Sequence, residues 1–274
     1  MSDIRLLVLD VDGTIAGPSN VVSPAVVQAL QQVQARGIKV AIATGRMYCS
    51  ALRFHEAIGS TEPLTAYNGA WIQQPGMIEP LLHCPLPTER VAEIIDFVEQ
   101  SETWRSRVEV HLYAEDMLFL SQQTPQSAAY LDRSGVPANV LDDLRSLLDR
   151  QFTKVLLSSP DPEVITELMA LFRGRYRPQE LHITQSTETY LEFTQSNINK
   201  GTAIAHLAQH HYGLPLSQVM AIGDNFNDLE MIQQAGIGVA MGNAPAGVKA
   251  EADWVTRSVA EDGVALAVEQ FLLV

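Results

Sequence analysis

The segment Ile4–Val11, reading Ile-Arg-Leu-Leu-Val-Leu-Asp-Val, constrains the fold more than any other. Its four consecutive aliphatic residues, Leu6 to Leu9, are followed after Asp10-Val11 by the turn signal Asp12-Gly13. That run is too short for a helix and too uniformly apolar for a strand with one wet face. It predicts a strand buried on both faces, the usual state inside a parallel sheet covered by helices. Ser23-Pro24 then offers an N-cap and a proline at the first helical position, Val26 to Ala35 is helix-periodic, and Gly37 stops it. A second apolar strand, Ile38 to Ala43, follows directly. Strand, helix, strand is a βαβ unit, whose crossover is right-handed almost without exception.

Past a short strand near Leu64 to Tyr67 and a pair of short strands around Trp71 and Leu81, the pattern changes. From Pro85 to Ser186 paired strands are interleaved with helices, the pattern of an α+β layer. From Asn199 the βα alternation resumes. The expected fold is therefore α/β: a doubly wound, Rossmann-like parallel sheet, built from residues 1–84 and 187–274, with an α+β cap inserted over residues 85–186. At 274 residues and 46 % hydrophobic content, the chain has the length at which one core divides into two.

Charge excludes some functions. The formal net charge is -14, which repels polyanions and gives none of the counterion release that drives nucleic-acid binding. An anionic small substrate is admitted only where a cation or a cluster of basic side chains reverses the local field. Cys49 and Cys84 are too few for a disulfide framework and lack metal-ligand spacing. No apolar run reaches the length of about 18 residues needed to span a membrane, and Met-Ser-Asp does not open a secretory signal. The expectation is a cytoplasmic protein with no nucleic-acid or membrane partner. No helical stripe marks a dimer face, so a monomer is the default.

In open α/β sheets ligands bind beyond the carboxyl ends of the strands, and five polar clusters fall there. Asp10-Val11-Asp12-Gly13-Thr14 places two carboxylates at the end of the first strand. Gly223-Asp224-Asn225-Phe226-Asn227-Asp228 follows a later apolar strand and opens a helix. Taken singly, the first is also an ordinary turn and the second an ordinary cap. Together they supply the all-oxygen set that suits magnesium, with no thiolates or paired imidazoles to suit zinc. Thr44-Gly45-Arg46 offers a hydroxyl and backbone N–H groups for a phosphate. Lys200 stands at a helix start, where the dipole disfavours a cation, and Asn68-Gly69 follows the third short strand.

In this order, the segments resemble the haloacid dehalogenase-like hydrolase superfamily, and within it the Cof-type sugar-phosphate phosphatases with an α+β (type IIB) cap. The resemblance rests on Asp-Val-Asp-Gly-Thr at 10–14, Ala-Thr-Gly-Arg at 43–46, Tyr-Asn-Gly-Ala at 67–70, Lys200-Gly201, Gly-Asp-Asn-Phe-Asn-Asp at 223–228 and Val-Ala-Met-Gly-Asn-Ala at 239–244. It implies a Mg2+-dependent phosphatase acting on a small phosphorylated metabolite. Asp10 is implied as the nucleophile that forms an aspartyl-phosphate, and Asp12 as the acid and base. Thr44 and Lys200 are implied to hold the phosphoryl group. Mg2+ would be held by Asp10, the main-chain carbonyl of Asp12 and Asp224, with Asp228 orienting water or Lys200. Gly45, Arg46, Asn68, Asn227 and Asn243 are second-tier candidates for contacts with substrate or with the metal loop. The Asn-Ile-Asn lead-in to Lys200 departs from the commoner Gly-Val-Ser type. Arg105, Arg107, Glu115, Arg175 and His182 are polar residues of the cap, each expected on a solvated surface. A phosphomutase or phosphotransferase using the same aspartyl-phosphate, and a non-catalytic metabolite binder, are the alternatives.

Overall fold

A computed structural model describes residues 3–273. They form two compact units, one comprising the residues up to Leu82 and from Asn199 onward, the other His83–Ile198. Among the described residues no helix is long and apolar enough to cross a membrane.

The first unit is built on a five-stranded sheet in the spatial order Trp254–Val255, Ile237–Ala240, Val219–Gly223, Leu6–Leu9, Lys39–Ile42, with every pairing parallel. Leu6 to Leu9 are each 0 % exposed, the double-sided burial that their uniform apolarity predicts. Leu6 and Val8 point into a cluster with Ala41, Val219 and Ala221 that is covered by Ala203, Ile204, Leu207 and Met231. Helix Pro24–Ala35 buries Val26, Ala29, Leu30 and Val33 and packs against helix Gly263–Phe271. Its start is as expected, with Ser23 accepting from the amide of Val26 and Pro24 in the first turn.

The strand order places the switch point between Leu6–Leu9 and Val219–Gly223. One neighbour of the first strand comes next in the chain, and the other comes from far beyond the insertion. Loops leaving neighbouring strands on either side of a switch point diverge and open a crevice at the carboxyl ends. Asp10 and Asp224 leave these two strands. Leu64–Ala66 pairs antiparallel with Trp71–Gln73 in a small three-stranded sheet, which is joined to the core by the bridge from Ala43 to Thr65.

The second unit carries a six-stranded sheet in the order Leu181–Thr187, Tyr190–Gln195, Phe152–Ser158, Glu109–Ala114, Met117–Leu120, Ala138–Val140, antiparallel except for its last pair. Helices Thr88–Glu99 and Pro162–Arg175 bury Ile94, Ile95, Val98, Val164, Ile165, Leu168 and Phe172 in one apolar cluster with Val110, Leu112, Val155 and Leu157. Strand Tyr190–Gln195, which an edge at residue 186 leaves in the core, belongs to this sheet. It forms a hairpin with Leu181–Thr187 and also pairs with Phe152–Ser158. The unit thus extends to Ile198.

Candidate active site

The first strand ends by donating the Asp10 amide to Ile222 O at 3.0 Å, after which three amides, those of Thr14, Ile15 and Ala16, turn back onto Val11 O. This turn lays Gly13 against the neighbouring loop. Gly13 has φ +83°, and a Cβ there would stand 2.2 Å from Asp224 Oδ2. Only glycine allows both that backbone conformation and that approach. Gly45 serves a similar end, since a Cβ on it would lie 2.9 Å from Asn68 Oδ1.

Lys200 is the centre of the arrangement. It opens helix Lys200–His206, whose N-cap Asn199 accepts from the Thr202 amide at 2.8 Å and forms a capping box with it. Its side chain is fully buried, and Nζ donates to Asp10 Oδ1 and to Asp228 Oδ1, each at 2.5 Å. The other oxygen of Asp228 accepts from the amides of Asp224 (2.9 Å) and Asn225 (3.0 Å), so one carboxylate fastens both the lysine and the loop after Val219–Gly223. Asp10, Asp224 and Asp228 bring carboxylate oxygens within 4.8 Å of one another.

Three carboxylates thus crowd around one ammonium, which bonds two of them. Burial, then the charge of Asp228, pushes the Asp10 carboxyl well above the ordinary range, against the pull of Lys200. Burial, followed again by Asp228, pushes Asp224 up to about 7. Burial favours neutral Lys200, but the two aspartates outweigh it and hold the amine protonated above its usual value. The cluster therefore carries excess negative charge in a poorly hydrated place. A small divalent cation with oxygen preference fits both its chemistry and its electrostatics.

Around this centre, Asn243 Nδ2 donates to Asp224 Oδ2 at 3.0 Å and to Gly13 O at 2.9 Å, tying the two acidic loops together. Its Oδ1 accepts from the Val259 amide at 2.9 Å. Asn227 Nδ2 donates to Asn68 Oδ1 at 2.9 Å, and the Asn68 amide donates to Thr44 O at 2.9 Å. Thr44 is 1 % exposed; its hydroxyl oxygen accepts from the Arg46 amide at 3.2 Å, leaving the hydroxyl hydrogen to donate.

Arg46 grips Asp12 through both carboxylate oxygens, Nε to Oδ2 at 2.7 Å and a terminal nitrogen to Oδ1 at 2.6 Å. The same nitrogen donates to Asn20 Oδ1 at 2.7 Å, and the guanidinium lies 4.7 Å from the centre of the Phe54 ring. Asn20 lies outside the motifs that the sequence displays. Its one visible signal is an asparagine suited to the left-handed region, which it occupies at φ 61°.

A doubly wound α/β fold thus brings a carboxylate cluster and a buried lysine together at its switch point, where such folds bind their ligands. The chain belongs to the haloacid dehalogenase-like hydrolases, whose family model matches residues 7–268. It is 29 % identical over 276 residues to the 5-amino-6-(5-phospho-D-ribitylamino)uracil phosphatase YcsE of Bacillus subtilis, covering 99 % of this chain and 97 % of that one. A second phosphatase of that organism with the same substrate in its name, YitU, is 28 % identical, with 97 % of each covered. Among solved structures, TM0651 from Thermotoga maritima superposes with a TM-score of 0.84 at 28 % identity, covering 98 % of this chain and 97 % of that one. The family inferred from the ordered motifs is the family found.

Proposed function

We propose that this enzyme is a Mg2+-dependent phosphatase that hydrolyses a small phosphomonoester through an aspartyl-phosphate on Asp10. The observation that carries the reading is the buried Lys200 ammonium, held 2.5 Å from Asp10 and 2.5 Å from Asp228 beside Asp224. That ammonium supplies part of the positive charge that an arriving anionic substrate needs, and a divalent cation held by the remaining carboxylates would supply the rest.

Asp10, the main-chain carbonyl of Asp12 and Asp224 would hold Mg2+, with Asp228 behind them. Bound there, the ion would neutralise charge on the phosphoryl oxygens. Asp10 attacks phosphorus as the bond to the leaving oxygen breaks, while Asp12 gives that oxygen its proton. Asp12, now a carboxylate, takes a proton from water as the water oxygen attacks the same phosphorus. Orthophosphate leaves and Asp10 is restored. Lys200 and the Thr44 hydroxyl hold the phosphoryl oxygens through both steps. Arg46 holds both Asp12 oxygens in the structure, so Asp12 can carry its proton only once Arg46 gives up one of them, and the remaining contact keeps the acid group oriented.

The likeness to YcsE and YitU, named for a phosphorylated ribityl pyrimidine, supports a small phosphorylated metabolite as substrate. The test is orthophosphate release from a panel of sugar, polyol and nucleoside phosphates, run with Mg2+ and with EDTA, and with Asp10→Asn. Activity is expected to need the metal and to fall by about a thousandfold or more in Asp10→Asn. Full activity in that variant or in EDTA would sink the mechanism.

A further inference from the structure

We propose that the turn after helix Pro162–Arg175, in the inserted unit, binds a phosphate chain. The whole chain has 18 basic residues against 32 acidic ones, yet Arg173, Arg175 and Arg177 fall within five positions. With Tyr176, Gln179 and Glu180 they line a cleft of about 770 Å3. The cleft is open and lined by one stretch of chain, so it would hold a ligand along one face and leave the other in solvent.

The nearby carboxylates are already satisfied. Glu93 accepts from Arg90 at 2.9 and 2.8 Å and from the Tyr176 hydroxyl at 2.5 Å. Glu180 accepts from Arg90 at 3.2 Å and from the Arg177 amide at 3.0 Å. Arg90 is thus spent between two glutamates. Arg173 donates to Ile183 O at 3.3 Å. Arg175 and Arg177 are exposed, and among the described residues neither is in an ion pair. The local balance is four arginines to two glutamates, opposite in sign to the molecule.

The dipole of the helix favours cations in its last turn, which accounts for Arg173 and Arg175. It does not account for Arg177, which lies beyond the C-cap Tyr176, itself extended at φ -118° and ψ 140°. Guanidinium groups present forked N–H donors that match phosphate oxygens in pairs, and several around one cleft match successive phosphates. A nucleobase has less to hold it. The Tyr176 ring already stacks on Phe172 at 6.2 Å and meets Arg90 at 5.3 Å and Arg175 at 5.5 Å. The ligand class is therefore a linear phosphate chain, either free or as the tail of a nucleotide.

Calorimetric titration of metal-free enzyme with tripolyphosphate and with ATP, at low salt, tests this in wild type, Lys200→Met and Arg175→Gln/Arg177→Gln. Lys200→Met removes the cation of the carboxylate cluster, so binding that survives it lies elsewhere. The expected result is one site kept in Lys200→Met and weakened at least tenfold in the double glutamine variant. That variant alters only exposed side chains and keeps wild-type phosphatase activity and melting temperature. Tripolyphosphate and ATP should agree within about threefold, since the phosphates carry the recognition. Unchanged binding in the double variant, or loss of all binding in Lys200→Met that circular dichroism shows to be folded at the titration pH, overturns the proposal. ATP binding more than tenfold tighter than tripolyphosphate overturns the assignment to a phosphate chain.

Discussion

Replacing Lys200 with methionine removes the one ammonium between Asp10 and Asp228 and keeps a side chain of similar length in a fully buried slot. Packing is nearly conserved, so the loss is electrostatic. Removing one partner of a buried ion pair costs about 3–5 kcal/mol, because the other charge stays behind uncompensated. Here two carboxylates lose their cation and a third, Asp224, stands beside them. Sign and pH window follow from the shifts. Lys200 has its pKa raised above the free value of 10.5, so its contribution is whole below that pH and is lost only as pH rises through the folded value. Asp10 and Asp224 are also raised, so falling pH protonates them and relieves the repulsion that Lys200→Met exposes. The cost should be full at pH 8.5 and much reduced at pH 5.5. In urea, with EDTA present, a slope of about 2–3 kcal/mol/M turns it into a midpoint drop of roughly 1–2.5 M at pH 8.5. Lys200→Met/Asp228→Asn should recover part of it, with a coupling of about 0.5–3 kcal/mol. A midpoint change under about 0.3 M at pH 8.5, or an equal change at both pH values, refutes the reasoning.

Three other outcomes follow from the same geometry. Without metal, stability should fall as pH rises between 3.8 and about 7, where Asp224 must lose its proton within the fold, by at most about 4 kcal/mol and less for its partial exposure. Mg2+ should therefore raise the melting temperature more at pH 8 than at pH 5, and an equal rise at both would contradict it. Arg46→Met frees Asp12 from its two-point grip and should cut turnover roughly 10–100-fold, more for alkyl than for aryl phosphates, in a leaving-group series; equal losses would remove Arg46 from that role. Gly13→Ala drives a Cβ to within 2.2 Å of Asp224 Oδ2 at a positive φ, and should cost about 2 kcal/mol or more by thermal melting while weakening Mg2+ binding measured by calorimetry.

What the sequence discloses follows the range of the forces involved. Leu6–Leu9 and Lys39–Ile42 are legible because double-sided burial leaves an uninterrupted apolar run, and the acidic clusters because they sit directly after such runs. Lys200 is legible as a cation misplaced on its helix. Its clasp on Asp10 is not, since it joins residues 190 positions apart. Arg46 shows the same limit from the other side. Its place beside Thr44 marks it for an anion, but nothing local says that Asp12 and Asn20 receive it instead of a ligand. In Tyr190–Gln195 the alternation of Leu191 and Phe193 with Glu192 and Thr194 carries a strand signal, but which sheet the strand joins is decided by its pairing with Leu181–Thr187 and Phe152–Ser158.

The adjacency of Leu6–Leu9 and Val219–Gly223 bears on how the molecule is made. During synthesis the first strand leaves the ribosome early and its inner neighbour late. At about 5–20 residues per second, a separation of 190 residues or more is roughly 10–40 s of waiting. Through that interval Leu6–Leu9 can pair with Lys39–Ile42 on one side only, and its other edge offers unpaired amides and carbonyls beside four side chains destined for complete burial. The inserted unit can fold during the wait, because its sheet and helices draw on no residue outside His83–Ile198. The strand pair that builds the carboxylate cluster is therefore among the last to close, and the edge left open in the nascent chain is one that the finished enzyme buries completely.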